Sequence, residues 1–170
     1  MALQLVKLTP DYRQQLFDMM EEWLALEQDF SPYAIRRIDY RDFDTYLRGL
    51  QAQEQNEQWV PNTVYFALEP EQNIFVGAVN IRHRLNEELL FTGGHIGDGV
   101  RPSQRRRGYA TEMIGLALEK CRELGLKRVL MTCDEDNVGS EKSIRKNGGV
   151  LENTVINEEG KPEKRFWITL

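Results

Sequence analysis

The chain has 170 residues and a formal net charge of −5, with 41% hydrophobic and 29% charged residues. This length fits one domain, which we expect to span residues 1–170, and the composition is typical of a folded protein. The acidic balance argues against nucleic-acid binding, which requires a basic face. No segment reaches the ~20 apolar residues of a membrane span, and no export signal precedes the first apolar run. We therefore expect a cytoplasmic protein with no membrane partner.

Cysteine and histidine are scarce in this sequence. The two cysteines, Cys121 and Cys133, are too few for a disulfide framework and have no histidine at metal-binding spacing. The two histidines, His83 and His95, make a histidine-rich metal centre improbable. We expect reduced core cysteines and no metal site.

The first third of the chain predicts one strand and two helices. The segment LQLVKL is apolar enough for a short strand, and Thr9 with Pro10 is typical of a helix start. A second helix is predicted from Arg41 to about Gln53. The loop between the helices, DFSPYAIRR, is rich in aromatic and polar groups.

The middle of the chain predicts a hairpin and a further strand. TVYFAL and IFVGAVNI flank the turn EPEQN, which indicates two antiparallel strands. RLNEELLF is a polar excursion, and HIGDGV is a fourth strand containing two glycines.

The last third predicts two helices and three strands. Apolar residues recur at helical spacing from Ala110 to Leu124, and Gly125 follows as a C-cap. KRVLMTC is a buried strand, a helix then runs to Asn147, and GVLENTVI and KRFWITL are the last strands. The element order, β-α-α-β-β-β-α-β-α-β-β, predicts an α/β (mixed α+β) fold: a central, mostly antiparallel mixed sheet of about seven strands flanked by four helices.

Three consecutive arginines, Arg105, Arg106 and Arg107, precede Gly108 at the start of the best-defined helix. A solvated charge cluster is the default for such a run. A pyrophosphate cofactor, however, explains the arginines, the glycine and the helix start together, because a helix N-terminus presents free N–H groups. The glycines of GGHIGDG fall before or within a strand, so they do not form a dinucleotide-binding loop.

The arginine segment resembles the signature of the GNAT superfamily of acyl-CoA N-acyltransferases. That signature is V-x-P at the end of the fourth strand, followed by [RQ]-x-x-G-x-[GA] at a helix start. The matching residues are Val100, Pro102, Arg105, Gly108 and Ala110. Downstream, Asn137, Ser140 and Gly148 are similar to the family's N-x-x-[AS]…G pattern. The element order also matches, and the family's fourth and fifth strands splay apart.

The resemblance implies that acetyl-CoA is the co-substrate and that the backbone of the arginine loop holds its pyrophosphate. The amide near Val100 would polarise the thioester carbonyl. The implied cofactor-binding residues are Val100, Arg101, Arg105, Arg106, Arg107, Gly108, Tyr109, Ala110, Thr111, Asn137 and Ser140.

The resemblance also implies direct attack of an amine on the thioester, which requires a base. The candidates are Asp98 and His95 on the fourth strand and Glu87 or Glu88 before it. Many relatives carry a tyrosine seven residues after the asparagine, where it protonates the leaving thiolate. Here that position is Ile144, which leaves Ser140, Ser143 or water as the proton donor, or a thiolate that departs unprotonated.

The resemblance places the acceptor against the loop between the first two helices. In this chain that loop contains Phe30, Tyr33 and Asp39, and its acidic and aromatic groups suit a cationic amine. A small molecule or a peptide N-terminus is open as the acceptor, and a monomer or homodimer as the assembly. The alternative function is an acyl-CoA-binding module without catalysis.

Overall fold

A computed structural model describes residues 2–170, and its elements follow the predicted order. The strands are β1 (Gln4–Val6), β2 (Asn62–Glu69), β3 (Ile74–Arg82), β4 (Ile96–Val100), β5 (Arg128–Asp134), β6 (Val150–Ile156) and β7 (Pro162–Thr169). The helices are α1 (Arg13–Leu26), α2 (Phe43–Gln53), α3 (Glu87–Phe91), α4 (Tyr109–Glu123) and α5 (Val138–Lys146). Short 3-10 turns lie at Pro10–Tyr12, Tyr33–Ile35 and Pro102–Gln104.

Helix α3 was not foreseen, so the structure has five α-helices where the sequence predicted four. The helix occupies the segment interpreted as a polar excursion. The Asn86 side chain caps it by accepting a hydrogen bond from the Leu89 N–H at 2.8 Å, and Leu89 is buried. A single turn with one buried residue carries too little periodicity to be recognised as a helix.

The seven strands form two antiparallel sheets, ordered β1-β2-β3-β4 and β5-β7-β6. Between β4 and β5 there is only an isolated bridge, Gly94 with Met131, and next to it the His95 N–H donates to the Leu130 carbonyl at 2.8 Å. Beyond these contacts the two strands share no ladder. The splayed fourth and fifth strands and the predicted fold class are confirmed.

Both faces of the first sheet are covered by helices. One cluster of buried side chains packs beneath α4 and includes Ile96, Met113 and Phe166. The other packs beneath α1 and α2 and includes Trp23 and Tyr46. Both cysteines are free and buried, as expected. Within residues 2–170 no helix is both long and apolar enough to cross a bilayer.

Candidate active site

A cleft of about 670 Å³ opens where β4 and β5 separate. The end of α1 and the loop after it form one wall, and the starts of α4 and α5 form the other. A second cavity, of about 270 Å³, lies between β3–β4 and β5–β7. Five residues line both cavities: Ser31, Asp98, Asp134, Asn137 and Ser140. The two cavities therefore meet at the carboxyl end of β4.

The N-terminus of α4 lines the cleft with backbone. Gly108 is the N-cap and has φ 81°, a left-handed conformation that favours glycine. A Cβ placed on Gly108 would meet nothing within 4 Å, so its front face is open space. The first N–H groups of α4 have no intrahelical acceptor. This end of the helix, with Gly108, Tyr109 and Ala110 lining the cleft, can take an anion.

Two of the predicted cofactor-binding arginines are held by carboxylates of α1. The Arg101 Nε donates to the Glu22 Oε1 at 2.8 Å, and both side chains of this pair are mostly buried. The Arg105 guanidinium reaches the two carboxylate oxygens of Glu27 at 2.6 and 3.3 Å, and its Nε donates to the Val100 carbonyl at 3.0 Å. These pairs fix the loop after β4 against the end of α1.

The other two arginines of the triplet are exposed. Arg106 lines the cleft and has φ 64°, an uncommon conformation for a residue with a side chain. Arg107 lies outside both cavities. Within residues 2–170 neither forms an ion pair. Of the arginines in this loop, Arg106 is therefore the one whose charge faces the cleft without a carboxylate partner in the described chain.

Asp98 lies at the junction of the two cavities. Its half-buried side chain forms no hydrogen bond or ion pair with residues 2–170. Burial raises the pKa of this carboxyl from 3.8 to about 6. A carboxylate that is partly desolvated and left unpaired in a cleft is suited to accept a proton near neutral pH.

The backbone of β4 also offers donors to the cleft. The Arg101 N–H donates to the Val76 carbonyl, and the Arg82 N–H donates to the His95 carbonyl. Because hydrogen-bonding direction alternates along a strand, the N–H groups of Asp98 and Val100 point away from β3. They face the gap beside β5, where no strand pairs with them.

His95 connects β4 to β5 rather than facing the cleft. Its backbone N–H donates to the Leu130 carbonyl at 2.8 Å, and its Nδ1 accepts the Leu130 N–H at 2.9 Å. The side chain is buried and lines neither cavity described above. Burial, together with the charge of Arg82, lowers the pKa of His95 to about 4. The lone pair that a base would use is already hydrogen-bonded.

Helix α5 presents polar side chains to the cleft. Asn137 caps it by accepting a hydrogen bond from the Ser140 N–H at 3.1 Å. Asn137, Ser140 and Ser143 line the cleft, and the Ser143 hydroxyl lies 3.2 Å from that of Thr111. Ile144, by contrast, is fully buried in the core cluster beneath α4. The expectation that position 144 faces the thiolate is therefore wrong, and the neighbouring Ser143 faces the cleft instead.

The three predicted acceptor residues are not together. Phe30 is buried, stacks on Trp23 with ring centroids 4.3 Å apart, and lines the cleft. Tyr33 is exposed, and Asp39 pairs with Arg41 at 3.0 Å; neither lines either cavity. Sequence reasoning missed several lining residues, which are Trp23, Ser31, Arg82, Asp134 and Glu163. No local motif marks them.

Comparisons with known proteins agree with this geometry. A family model described as the acetyltransferase (GNAT) domain matches residues 2–150. A search of curated proteins gives no match.

Among solved structures, a ribosomal L7/L12 alpha-N-protein acetyltransferase in complex with coenzyme A superimposes with a TM-score of 0.72 at 16% identity, covering 99% of this chain and 94% of that one. A microcin C7 self-immunity acetyltransferase in complex with acetyl-CoA and AMP gives 0.71 at 15% identity, covering 99% and 93%. A chimera of spermidine N-acetyltransferase from Vibrio cholerae and hSSAT gives 0.69 at 16%, covering 99% and 96%. At these identities the likeness is one of fold.

The family match covers most of the chain, and it includes the strand end, the arginine loop and the helix start that build the cleft. It also favours an enzyme over the non-catalytic binding module. The chain belongs to the GNAT acetyltransferase family and is an acyltransferase that uses acetyl-CoA as co-substrate.

Proposed function

We propose that the protein transfers the acetyl group of acetyl-CoA to a primary amine of a small molecule or peptide, by direct attack of the amine on the thioester. The observation that carries this proposal is the unpaired carboxylate of Asp98, which lies where the two cavities meet. One cavity is then available to the cofactor and the other to the amine. A residue at their junction is in contact with the reacting groups.

The residues of the large cleft fit a pyrophosphate. The open face of Gly108, the free N–H groups of the first turn of α4 and the uncompensated charge of Arg106 all favour an anion at the same place. Arg107 adds charge nearby, and Asn137 and Ser140 line the same wall at the start of α5. Arg101 and Arg105 act indirectly, because Glu22 and Glu27 already hold them against α1.

Three groups then carry the chemistry. Asp98, ionised above a pKa of about 6, takes the proton that the ammonium must lose. The Val100 N–H, which points into the gap beside β5, stabilises the negative charge that develops on the thioester oxygen. The Ser143 hydroxyl lines the cleft and is in contact with Thr111, so it can pass a proton to the departing thiolate. His95 has a positioning role, since it links β4 to β5.

The test is an assay of free CoA thiol released with a panel of amines. Replacing Asp98 with Asn should lower kcat by about 10²–10⁴-fold, the usual contribution of a general base, while the Kd for acetyl-CoA measured by calorimetry stays unchanged. The matched control is Asp18→Asn on the exposed face of α1, which should leave both quantities as in the parent. A kcat of Asp98→Asn within a few-fold of the parent would refute the assigned base.

Ser143→Ala tests the assigned acid in the same assay. A loss in kcat without a change in the acetyl-CoA Kd is expected, because the hydroxyl acts after the cofactor has bound. Ser140→Ala, on the same wall one turn earlier, is the comparison. If the two variants retain parental kcat, protonation of the thiolate by a side chain of α5 is not part of the rate-limiting chemistry, and the assignment of Ser143 is refuted.

A further inference from the structure

The smaller cavity contains a cation that forms no ion pair within the described chain, although the charge of Glu88 acts on it from outside the cavity. Arg82, the last residue of β3, lines it. Its Nη1 donates to the carbonyls of Gly93 and Gly94 at 3.2 and 3.3 Å, which fixes the guanidinium in place. Within residues 2–170 it forms no ion pair, and its Nε is buried without a partner. A buried guanidinium normally has a carboxylate or phosphate beside it.

The space beside this guanidinium is kept open by a glycine. A Cβ placed on Gly97 would lie 3.4 Å from the Arg82 Nη2 and 3.6 Å from the Pro32 Cβ. Any larger residue would therefore fill the part of the cavity next to the charge. Gly97 directly precedes Asp98 on β4, and both line the cavity.

The remaining charges of the cavity are acidic and lie on other walls. Asp134 at the end of β5 and Glu163 at the start of β7 are register partners across the second sheet. Burial raises the pKa of Glu163. Neither acid forms an ion pair with residues 2–170, and Asp98 stands at the junction with the cleft. The cavity thus carries one positive charge at the end of β3 and carboxyl groups on β4, β5 and β7.

We propose that Arg82 binds a carboxylate of the acceptor, so that the substrate is a zwitterion whose amine lies close to a carboxylate, as in a free amino acid. This inference rests on the proposed N-acetyltransferase function and names its substrate class. The amine is directed to Asp98, and the carboxylate neutralises the guanidinium. A polyamine is disfavoured, because its second ammonium would meet the charge of Arg82.

The experiment compares matched acceptors in the CoA-release assay with the parent protein. The panel pairs amino acids with their amides, and adds ω-diamines, an aminoalkyl phosphate, and short peptides with free and amidated C-termini. We expect the kcat/KM for amino acids to exceed that for their amides by about 10–100-fold, because a hydrogen-bonded charge pair is lost in the amide. If the enzyme prefers the aminoalkyl phosphate, or the peptide with a free C-terminus, then the anion bound by Arg82 belongs to that class of acceptor and not to a free amino acid.

Arg82→Gln should reduce the acid-to-amide ratio to about one, and Arg82→Lys should retain part of it. Arg84→Gln is the matched control: that arginine is half-exposed, pairs with Glu57 and lies outside the cavity. The parent comparison needs no variant, so a misfolded Arg82→Gln would not leave the question open.

Three results would overturn the inference: equal use of acids and amides, a preference for diamines, or an unchanged ratio in a folded Arg82→Gln. If amines are acetylated without a carboxylate preference, the N-acetyltransferase function stands and this inference fails alone. If no amine releases CoA although acetyl-CoA binds in calorimetry, both fail.

Discussion

At Asp98 the stability of the fold and the proposed chemistry have opposite requirements. Its carboxylate is desolvated and unpaired, which raises its pKa from 3.8 to about 6. The native state therefore binds a proton more tightly than the unfolded chain does, and stability falls as the pH rises from about 4 to about 6. Above that range the ionised side chain costs the fold free energy. Such local costs are expected where a group must react.

The first prediction follows at the same scale. Asp98→Asn should raise the Tm at pH 8, because the amide has no charge to desolvate. After screening by water in the cleft we expect a gain on the order of 1 kcal/mol, or about 2–4 °C. The gain should vanish near pH 4, where the parent is protonated too. Thermal melts of both proteins at the two pH values measure it. A variant less stable than the parent at pH 8 would contradict the desolvation account.

At the scale of the element, the start of α4 depends on the left-handed backbone conformation of Gly108 more than on any side chain. Gly108 has φ 81°, and a Cβ there would enter open space in the cleft. Gly125, just after the end of α4, provides a matched case, since it has φ 85° and equally open surroundings outside the cleft. The backbone cost of a substitution at the two glycines is therefore similar.

We predict that Gly108→Val and Gly125→Val lower the Tm to a similar extent, and that Gly108→Val alone abolishes acetyl-CoA binding. Its side chain would occupy the place of the phosphate, and losing even one charge-assisted hydrogen bond costs roughly tenfold in affinity or more. Arg106→Ala should weaken binding only modestly, because the helix-end amides remain. Calorimetric titration of the three variants with acetyl-CoA measures these affinities. If Arg106→Ala lost more affinity for acetyl-CoA than Gly108→Val, the arginine side chain and not the helix end would hold the phosphate.

At the scale of the whole molecule, the cleft lies between two sheets that are joined by one isolated bridge and by the hydrogen bonds between His95 and Leu130. Its walls come from α1 and β4 on one side and from α5 on the other. A ligand that touches both walls stabilises each against local opening, and at 100 times its Kd it adds about 2.7 kcal/mol.

Hydrogen exchange should show this coupling. We predict that acetyl-CoA, without an amine, slows the exchange of amides in β4 and at the start of α5 as well as in α4. Amides on the unpaired edge of β6, a strand that lines neither cavity, serve as the internal reference. Protection confined to α4 would show that the cofactor contacts one wall only.

The sequence predicts the fold well, and it singles out the loop that the structure places at the cleft, because both depend on local patterns. Hydrophobic periodicity sets the order of the elements, and the segment from Val100 to Ala110 is one continuous stretch of strand end, loop and helix start. The features of the site that the sequence does not predict depend on contacts between residues far apart along the chain. The Arg101–Glu22 and Arg105–Glu27 pairs join positions separated by 79 and 78 residues. No local signal tells an arginine held by a distant carboxylate from one left for a phosphate.

The orientation of a side chain on a short helix is equally hard to predict. Counting residues from Asn137 placed Ile144 beside the thiolate, yet the structure buries it beneath α4, and Ser143 takes the position facing the cleft. One residue along a helix turns a side chain by about 100°. Arg82 escaped notice for another reason, because a single arginine at the end of a strand is ordinary until the structure shows that no carboxylate of the described chain forms an ion pair with it.

The phosphate site proposed at the start of α4 has a consequence for how such a protein can diverge. Its main donors are backbone N–H groups, which every residue except proline supplies, so substitution around them leaves the donors in place as long as the helix begins there. The smaller cavity, proposed to hold the acceptor, has the opposite character, because its charges belong to individual side chains such as Arg82. Under mutation, the ability to take acetyl-CoA should therefore outlast any one acceptor preference, and a few exchanges in the smaller cavity could redirect the enzyme to another amine.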